Sequence, residues 1–274
     1  MVAGPAAHVV SGRGPGHRAL TGIARAGGRE QGPVIVLAYP GSGAGDLRHL
    51  LGRSKDLCCT SGTGLLPLCE VAAAAWRRID GRDGALAPLA LASIRALTGG
   101  LISVAQATLG GSRWCEIAFS PPEGAEVFLQ LYPAVRVLCL HRSCAEVVQA
   151  GVLAHPWGIA GTAFAAFAPA FPASPAAAIA AFWASRTEQL LHFEDAHPGS
   201  SNRVRHEGLA GEPDQAAAAI SAFLDLDLPR AGILARDDQP AADGPGKLDA
   251  GQIPPPLLAR VNELQDLFGY PPIL

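Results

Sequence analysis

Lysine is almost absent from this chain, since only two of its 21 Lys and Arg residues are lysines, Lys55 and Lys247. No uninterrupted apolar run reaches the roughly 18 residues of a membrane span, so we expect no membrane partner. The first residues lack the compact apolar segment of a secretory signal, which predicts a cytoplasmic protein. The six cysteines show no paired metal-ligand spacing, so we predict reduced, structural thiols and no metal site.

Composition favours one folded domain. A chain of 274 residues with 49% hydrophobic content can bury a sizeable core without a second domain. Residues 1–32 are rich in Gly, Ala and Arg, which indicates a flexible N-terminal arm before a domain over residues 33–274. The formal net charge of -3 argues against a nucleic-acid partner. Nothing in the composition indicates an oligomeric state.

The segment from Val34 to Leu51 predicts a strand, a tight turn and a helix. An apolar run ends at Tyr39, the turn reads Pro-Gly-Ser-Gly-Ala-Gly over residues 40–45, and apolar residues then recur at helical spacing. Glycines allow close backbone approach, and the positive end of the following helix favours phosphate or sulfate. The alternative is an ordinary strand-to-helix turn that binds nothing.

Two better-known nucleotide loops do not fit this turn. A Walker-type loop needs Gly-Lys-Ser/Thr before its helix, whereas Gly45 is followed by Asp46 and Leu47. A dinucleotide fingerprint needs G-x-G-x-x-G, whereas the turn offers only G-x-G-x-G. The turn therefore argues against an NTPase, and a dinucleotide site is the weaker interpretation.

A second strand-to-helix unit repeats the arrangement. The run Val135 to Leu140 predicts a strand, and His141-Arg142-Ser143 follows it before an amphipathic segment. Ligands of open parallel sheets bind beyond the carboxyl ends of the strands, so we expect Arg142 and the glycine turn to flank one pocket. The forked guanidinium of Arg142 suits phosphate, although it could equally be a solvated loop arginine.

The remaining pattern is less regular. Residues 57–68 indicate a loop because Ser, Gly and Pro interrupt them, and residues 113–119 predict a short strand. Leu89 to Leu109 indicates one or two helices broken at Gly99-Gly100. Between residues 157 and 175 an apolar, proline-broken stretch carries three phenylalanines that line an acceptor pocket or pack on the core, namely Phe164, Phe167 and Phe171.

Three segments together resemble the PAPS-dependent sulfotransferase family, in particular its bacterial members. Residues 40–45 stand where that family has its phosphosulfate loop, and Leu138 to Val148 is similar to its 3′-phosphate segment. Val204 to Leu209 resembles the family's Arg-Tyr-Glu-Asp-Leu strand, and the ending through Gly246-Lys247 to Leu267-Phe-Gly-Tyr-Pro271 fits as well.

The resemblance implies an α/β fold with a mostly parallel central sheet flanked by helices, a P-loop-like sulfotransferase architecture. It implies transfer of a sulfuryl group from PAPS to a hydroxyl of a small-molecule acceptor, such as a secondary metabolite, leaving PAP. The backbone of the loop would hold the 5′-phosphosulfate, and two basic side chains the 3′-phosphate. The implied cofactor-binding residues are Gly41, Ser42, Gly43, Ala44, Gly45, Asp46, Arg142 and Lys247.

The chain departs from the family pattern where chemistry would occur. The basic residue of the family's loop is Gly41 here, its two threonines are Ala44 and Gly45, and the serine eight residues after the 3′-phosphate arginine is Ala150. A catalyst that relies on electrostatic stabilisation has therefore lost its usual donor. Arg48 or Lys247 could substitute for it, and if neither does, we expect catalysis to be impaired.

Sulfuryl transfer to a hydroxyl also needs a general base. Glu116, on the predicted strand before the 3′-phosphate segment, and Glu70, near a helix start, are the candidates, with His49 and His141 behind them. Each glutamate could equally be a surface or ion-paired carboxylate. Two other functions stay open: a degenerate sulfotransferase-fold binding protein, and another nucleotide-dependent transferase or reductase that uses the glycine turn.

Overall fold

The computed structural model describes residues 31–80, 86–229, 248 and 250–274. Lys247 and nearly all of the predicted N-terminal arm lie outside these residues. The division into an arm and a domain therefore stays a prediction.

The described residues contain a parallel five-stranded sheet with the strand order β2-β3-β1-β4-β5. Its strands are β1 Val34–Leu37, β2 Leu57–Ser61, β3 Arg113–Ala118, β4 Arg136–His141 and β5 Ser201–Arg205. The central strand β1 is fully buried, as expected for a parallel strand covered on both faces. The predicted α/β fold with a parallel central sheet is confirmed.

Nine α-helices surround the sheet in the described part of the chain. In order they are α1 Ala44–Gly52, α2 Leu65–Asp80, α3 Pro88–Leu109, α4 Glu123–Leu131, α5 Cys144–Ala154, α6 Pro175–Ala196, α7 His206–Gly211, α8 Pro213–Leu224 and α9 Pro255–Asp266. Short 3-10 helices cover Ala165–Ala170 and Ala250–Gln252.

Strand alternation divides the core between the two faces of the sheet. Ile35 and Leu37 of β1 face the larger core, which receives side chains from α2 to α6 and α9. Val34 and Val36 face the smaller core, which α1, α7 and α8 cover.

The connections after neighbouring strands leave toward opposite faces. The chain leaves β1 through α1 to the smaller core, whereas it leaves β3 and β4 through α4 and α5 to the larger core. Connections that diverge in this way open a crevice beyond the carboxyl end of β1, where ligands of doubly wound sheets bind. The glycine turn lies at that end.

Two local predictions were wrong. Residues 57–68 are not all loop, because Leu57–Ser61 forms the edge strand β2 and pairs with β3 from Leu57 opposite Arg113. Main-chain hydrogen bonds to β3 stabilise this strand, whereas its Cys and Ser side chains do not predict a strand. The helix break at Gly99-Gly100 is also absent, since α3 continues through both glycines.

Helix α3 is long and apolar enough to cross a membrane by length and composition, with a mean hydropathy of 1.5 over its most apolar window, of which 17% is buried. The sequence prediction counted only uninterrupted apolar runs and did not consider the mean hydropathy of a window that contains a few polar residues. The buried side chains of α3 are Ala90, Ile94 and Thr98. Thr98 bonds to the hydroxyl of Tyr132 beyond α4, which ties the helix to the fold.

Candidate functional site

The glycine turn is a closed, rigid loop. The N–H of Ser42 donates to the Tyr39 carbonyl at 3.0 Å, and the N–H of Tyr39 donates to Ser42 Oγ at 3.2 Å. Gly41 and Gly43 both have left-handed φ angles, of 83° and 86°, which side chains other than glycine rarely adopt. The fully buried Ser42 hydroxyl therefore closes the turn from within.

Three consecutive amides at the start of α1 are open. Asp46 N–H and Leu47 N–H both reach the Gly43 carbonyl, at 3.2 and 3.4 Å. Within the described residues the N–H groups of Gly43, Ala44 and Gly45 have no acceptor. They stand at the positive end of α1, an arrangement that binds anions. The sequence offered the backbone N–H groups of residues 42–46 for the phosphosulfate. Only these three are open, because the N–H groups of Ser42 and Asp46 donate to backbone carbonyls of the turn.

His206 of α7 packs directly on this loop. A Cβ atom added at Gly43 would lie 1.9 Å from His206 Cδ2, so only glycine fits. The ring nitrogen Nε2 of His206 bonds to Asp46 Oδ2 at 2.8 Å. The side chain of Asp46 is therefore held by this histidine, and any role of Asp46 toward a cofactor stays a prediction.

Arg142 lies against the glycine turn. Its Nη1 donates to the Gly41 carbonyl at 2.9 Å, and its Nε donates to Glu146 Oε2 at 2.8 Å. The backbone of Arg142 is fixed too, because its N–H donates to the Tyr39 hydroxyl at 3.1 Å and its carbonyl accepts from the Trp183 indole at 2.8 Å. The turns after β1 and β4 therefore form one unit.

The N-terminus of α5, in contrast, is closed by protein groups. Ser143 N–H donates to Glu207 at 2.8 Å, and Cys144 N–H donates to the Gln265 side chain at 3.0 Å. Ala150 lies further along the same helix. Of helices α1 and α5, only α1 therefore has an open N-terminus, and Arg142 lies beside it.

Glu116 is buried in β3, with 2% of its surface exposed. Its carboxylate accepts from the Thr60 hydroxyl at 2.5 Å, from Thr63 N–H at 2.8 Å and from the Thr63 hydroxyl at 3.0 Å. These bonds tie β2 and the segment after it to β3 and fix the orientation of the carboxylate. A catalytic role for Glu116 stays a prediction.

The other catalytic candidates are exposed. Glu70 is the sixth residue of α2, because that helix begins at Leu65. Arg48 and His49 lie on the exposed side of α1. A hydrogen bond with Cys115 is the main cause that lowers the pKa of Cys59 in β2, and the charge of Arg48 lowers it further. Arg48 is thus close to the edge strand, and its substitution for the missing loop cation stays a prediction.

His141 ends β4 and is buried beside a carboxylate. Its Nε2 bonds to Glu194 at 2.7 Å, and Arg203 bonds to the other oxygen of Glu194. Burial lowers the pKa of His141, although Glu194 opposes the shift. Burial alone would raise the pKa of Glu194, but the bonds from His141 and Arg203 bring it below its ordinary value. The pair is therefore a neutral imidazole and an ionised carboxylate.

The phenylalanine-rich segment packs near the same crevice. Phe164 and Phe167 contact the Phe182 ring edge-on, with centroids 5.0 and 5.9 Å apart, and Phe182 in turn contacts Tyr39 at 6.3 Å. Phe171 is partly buried against the larger core. All three phenylalanines therefore pack on the larger core, and Phe164 and Phe167 lie next to Tyr39 through Phe182.

Sequence reasoning missed His206, which lies 160 residues from its partner Asp46, and it missed the buried hydroxyl of Tyr39. The Tyr39 signal was present, because Tyr39 ends the first apolar run directly before Pro40. Across the described ranges no group of three or more His, Cys, Asp and Glu could hold a metal ion.

Solved sulfotransferase structures share this fold. The sulfotransferase domain from the curacin biosynthetic pathway superposes with a TM-score of 0.60 at 17% identity, covering 89% of this chain and 99% of that domain. The sulfotransferase domain of the Synechococcus PCC 7002 olefin synthase gives 0.51 at 16%, covering 88% and 96%. The sulfotransferase STF9 from Mycobacterium avium gives 0.53 at 14%, covering 90% and 79%.

No family model and no curated protein matches the chain. At these identities the likeness establishes the fold, which is that of bacterial sulfotransferases, as the sequence motifs implied.

Acid should destabilise the protein through His141. The pKa of His141 is below 6.5 in the folded state, so the unfolded chain binds more protons as the pH falls from 7.5 through 6.5. The free energy of unfolding should fall with a slope of at most about 1.4 kcal/mol per pH unit from this group. Urea denaturation between about pH 7.5 and 5 measures it. His141→Gln should flatten the slope and exposed His192→Gln should not; equal slopes in wild type and His141→Gln would contradict the assignment.

Proposed function

We propose that this sulfotransferase-fold chain transfers a sulfuryl group from PAPS to a hydroxyl of a small, largely apolar acceptor. The observation that supports the proposal is the pairing of three open amides, those of Gly43, Ala44 and Gly45, with the guanidinium of Arg142. An anion cradle beside a permanent cation at the crevice of a parallel sheet suits a nucleotide that carries two phosphates.

The residues present fit the nucleotide part of PAPS. The open amides of α1 would hold the 5′-phosphosulfate without any side chain, which suits a loop that has none to offer. Arg142 would hold the 3′-phosphate with the N–H groups not used by Gly41 and Glu146. Lys247 is proposed as a second contact to the 3′-phosphate from outside the described residues. PAPS supplies the chemistry, a sulfuryl group bonded to a phosphate that can leave.

The protein must still take a proton from the acceptor. Glu116 is the proposed general base, because three hydrogen bonds already fix its carboxylate on the strand next to β1. Its burial means that the acceptor hydroxyl would have to approach it within the crevice. Glu70 is the alternative base, since it is exposed to solvent on α2.

The proposed acceptor is apolar because of the aromatic cluster next to Tyr39. Phe167, which is partly exposed beside the buried Phe164 and Phe182, presents apolar surface on the side of the sheet that holds the larger core. Such a lining favours a secondary metabolite or lipid-like alcohol over an anionic glycan.

A binding protein without catalysis is the second candidate. The left-handed φ angle of 83° at Gly41 disfavours any basic side chain at the position where the sulfotransferase family has one. This candidate predicts that PAP binds and that no acceptor is sulfated. A different nucleotide-dependent transferase or reductase would instead prefer ATP or NADPH.

Isothermal calorimetry with PAP tests the nucleotide site. We expect wild type to bind PAP more tightly than ATP or NADPH, and Arg142→Ala to weaken PAP binding by about 10- to 100-fold because a charge-assisted contact is lost. Arg136→Ala, at the opposite end of β4, is the matched control and should bind PAP as wild type does.

Equal and weak PAP binding by wild type and Arg142→Ala would contradict the site. Thermal unfolding of both variants is needed as well, since Arg142 also bonds to the Gly41 carbonyl. Tighter binding of ATP or NADPH than of PAP would instead support a different nucleotide-dependent transferase or reductase.

The general base is tested by two isosteric variants. Glu116→Gln should lower the rate of sulfate transfer to a phenolic acceptor by about 10²-fold or more, because the amide cannot accept the proton, and PAP affinity should not change. Glu70→Gln should keep the wild-type rate. Loss of turnover in Glu70→Gln with normal turnover in Glu116→Gln would assign the role to Glu70.

A further inference from the structure

Four buried polar side-chain atoms in the described part of the chain have no hydrogen-bond partner: Ser120 Oγ, His141 Nδ1, Arg186 Nη1 and Thr187 Oγ1. A buried donor without a partner is destabilising, so native proteins retain few of them, and each needs an explanation. Two of the four, on Arg186 and Thr187, belong to α6 near Tyr39, and a third, on Ser120, belongs to the turn after β3.

The hydroxyl of Ser120 belongs to the turn after β3. The end of β3 adjoins the end of β1, because Ala38 N–H donates to the Ala118 carbonyl at 2.9 Å. Ser120 follows Ala118 by two residues and precedes the first residue of α4, Glu123, by three. Ser120 therefore lies on the β3 side of the crevice.

Arg186 and Thr187 reach the same region from α6. The guanidinium of Arg186 lies 5.7 Å from the centroid of the Phe182 ring, which itself contacts Tyr39. Burial lowers the pKa of Arg186, and the nearby Glu123 and Tyr39 oppose that shift. Thr187 is 1% exposed, and its hydroxyl, although outside hydrogen-bond geometry, interacts with the Tyr39 hydroxyl and partly offsets the rise in the Tyr39 pKa that burial causes.

Both arginines have Tyr39 as a neighbour. Arg142 lies on the β4 side, where its guanidinium already bonds to Gly41 and Glu146. Arg186 is associated with the β3 side through Glu123 and keeps one guanidinium nitrogen without a partner. A partly desolvated arginine stabilises developing negative charge more strongly than one in water.

We infer that Arg186, assisted by the hydroxyls of Ser120 and Thr187, binds the oxygens of the sulfuryl group during transfer and replaces the cation that position 41 lacks. The inference rests on the proposed function and names the residue that supplies its electrostatic stabilisation. In the step, the acceptor oxygen bonds to sulfur and the bond from sulfur to the phosphate oxygen breaks. The electron pair stays on the phosphate of PAP, and the acceptor proton goes to the general base. Arg186 keeps its protons throughout.

Paired titrations with PAPS and PAP test Arg186, since the two ligands differ only in the sulfuryl group. Wild type should bind PAPS about tenfold more tightly than PAP, through charge-assisted bonds to the sulfuryl oxygens. Arg186→Met, which keeps the contact with Phe182, should abolish that preference and leave PAP affinity unchanged. Its rate of transfer should fall by about 10²-fold.

Two further variants separate binding from packing. Arg260→Met removes the arginine that pairs with Glu188, two residues along α6 from Arg186, and should behave as wild type. Should Arg186→Met fail to fold, Ser120→Ala provides an independent reading and should reduce the PAPS preference in part.

Retention of both the PAPS preference and the transfer rate in a folded Arg186→Met would overturn the assignment while the proposed function stands. If wild type binds neither nucleotide, the proposed function fails and this inference fails with it. If wild type binds PAPS without turnover, the ratio of PAPS to PAP affinity in wild type and in Arg186→Met decides whether Arg186 binds the sulfuryl group.

Discussion

The hydroxyl of Tyr39 is the contact on which the site depends. Tyr39 is fully buried at the end of the central strand, and its oxygen accepts the peptide N–H of Arg142 in the turn after β4. Burial raises the pKa of this phenol well above its ordinary value, so it stays protonated. The two turns that face the crevice are thereby joined through a neutral bond, and the Arg142 side chain completes the connection at the Gly41 carbonyl.

This junction has a chemical consequence for position 41. The Gly41 carbonyl is used by Arg142, and its left-handed backbone disfavours a side chain, so the loop can bind an anion only through amides. Amides at a helix N-terminus bind charge but do not supply a mobile cation. We propose that the cation comes from another element, and α6 carries Arg186 with an unpartnered nitrogen.

The sequence predicted the parts of this site that are local in the chain. The glycine turn and the strand that ends before Arg142 are each specified within about a dozen residues, because apolar runs and glycines are short-range signals. The edge strand β2 was missed, since main-chain pairing with β3 stabilises it and its side chains do not mark it. Without β2, the hydrogen bonds from Thr60 and Thr63 to Glu116 had no basis for prediction. His206 reaches the glycine turn through tertiary packing alone, which no local pattern records.

Amide chemical shifts test the central claim most directly, namely that an anion binds at the open N-terminus of α1. In ¹⁵N NMR spectra of the protein titrated with PAP, the amides of Gly43, Ala44 and Gly45 should show the largest shift changes. Those of Gly110 and Gly111, in the turn before β3, should not move. Unchanged signals from the three α1 amides, with saturable shifts at the N-terminus of α5 or at another helix, would contradict the account.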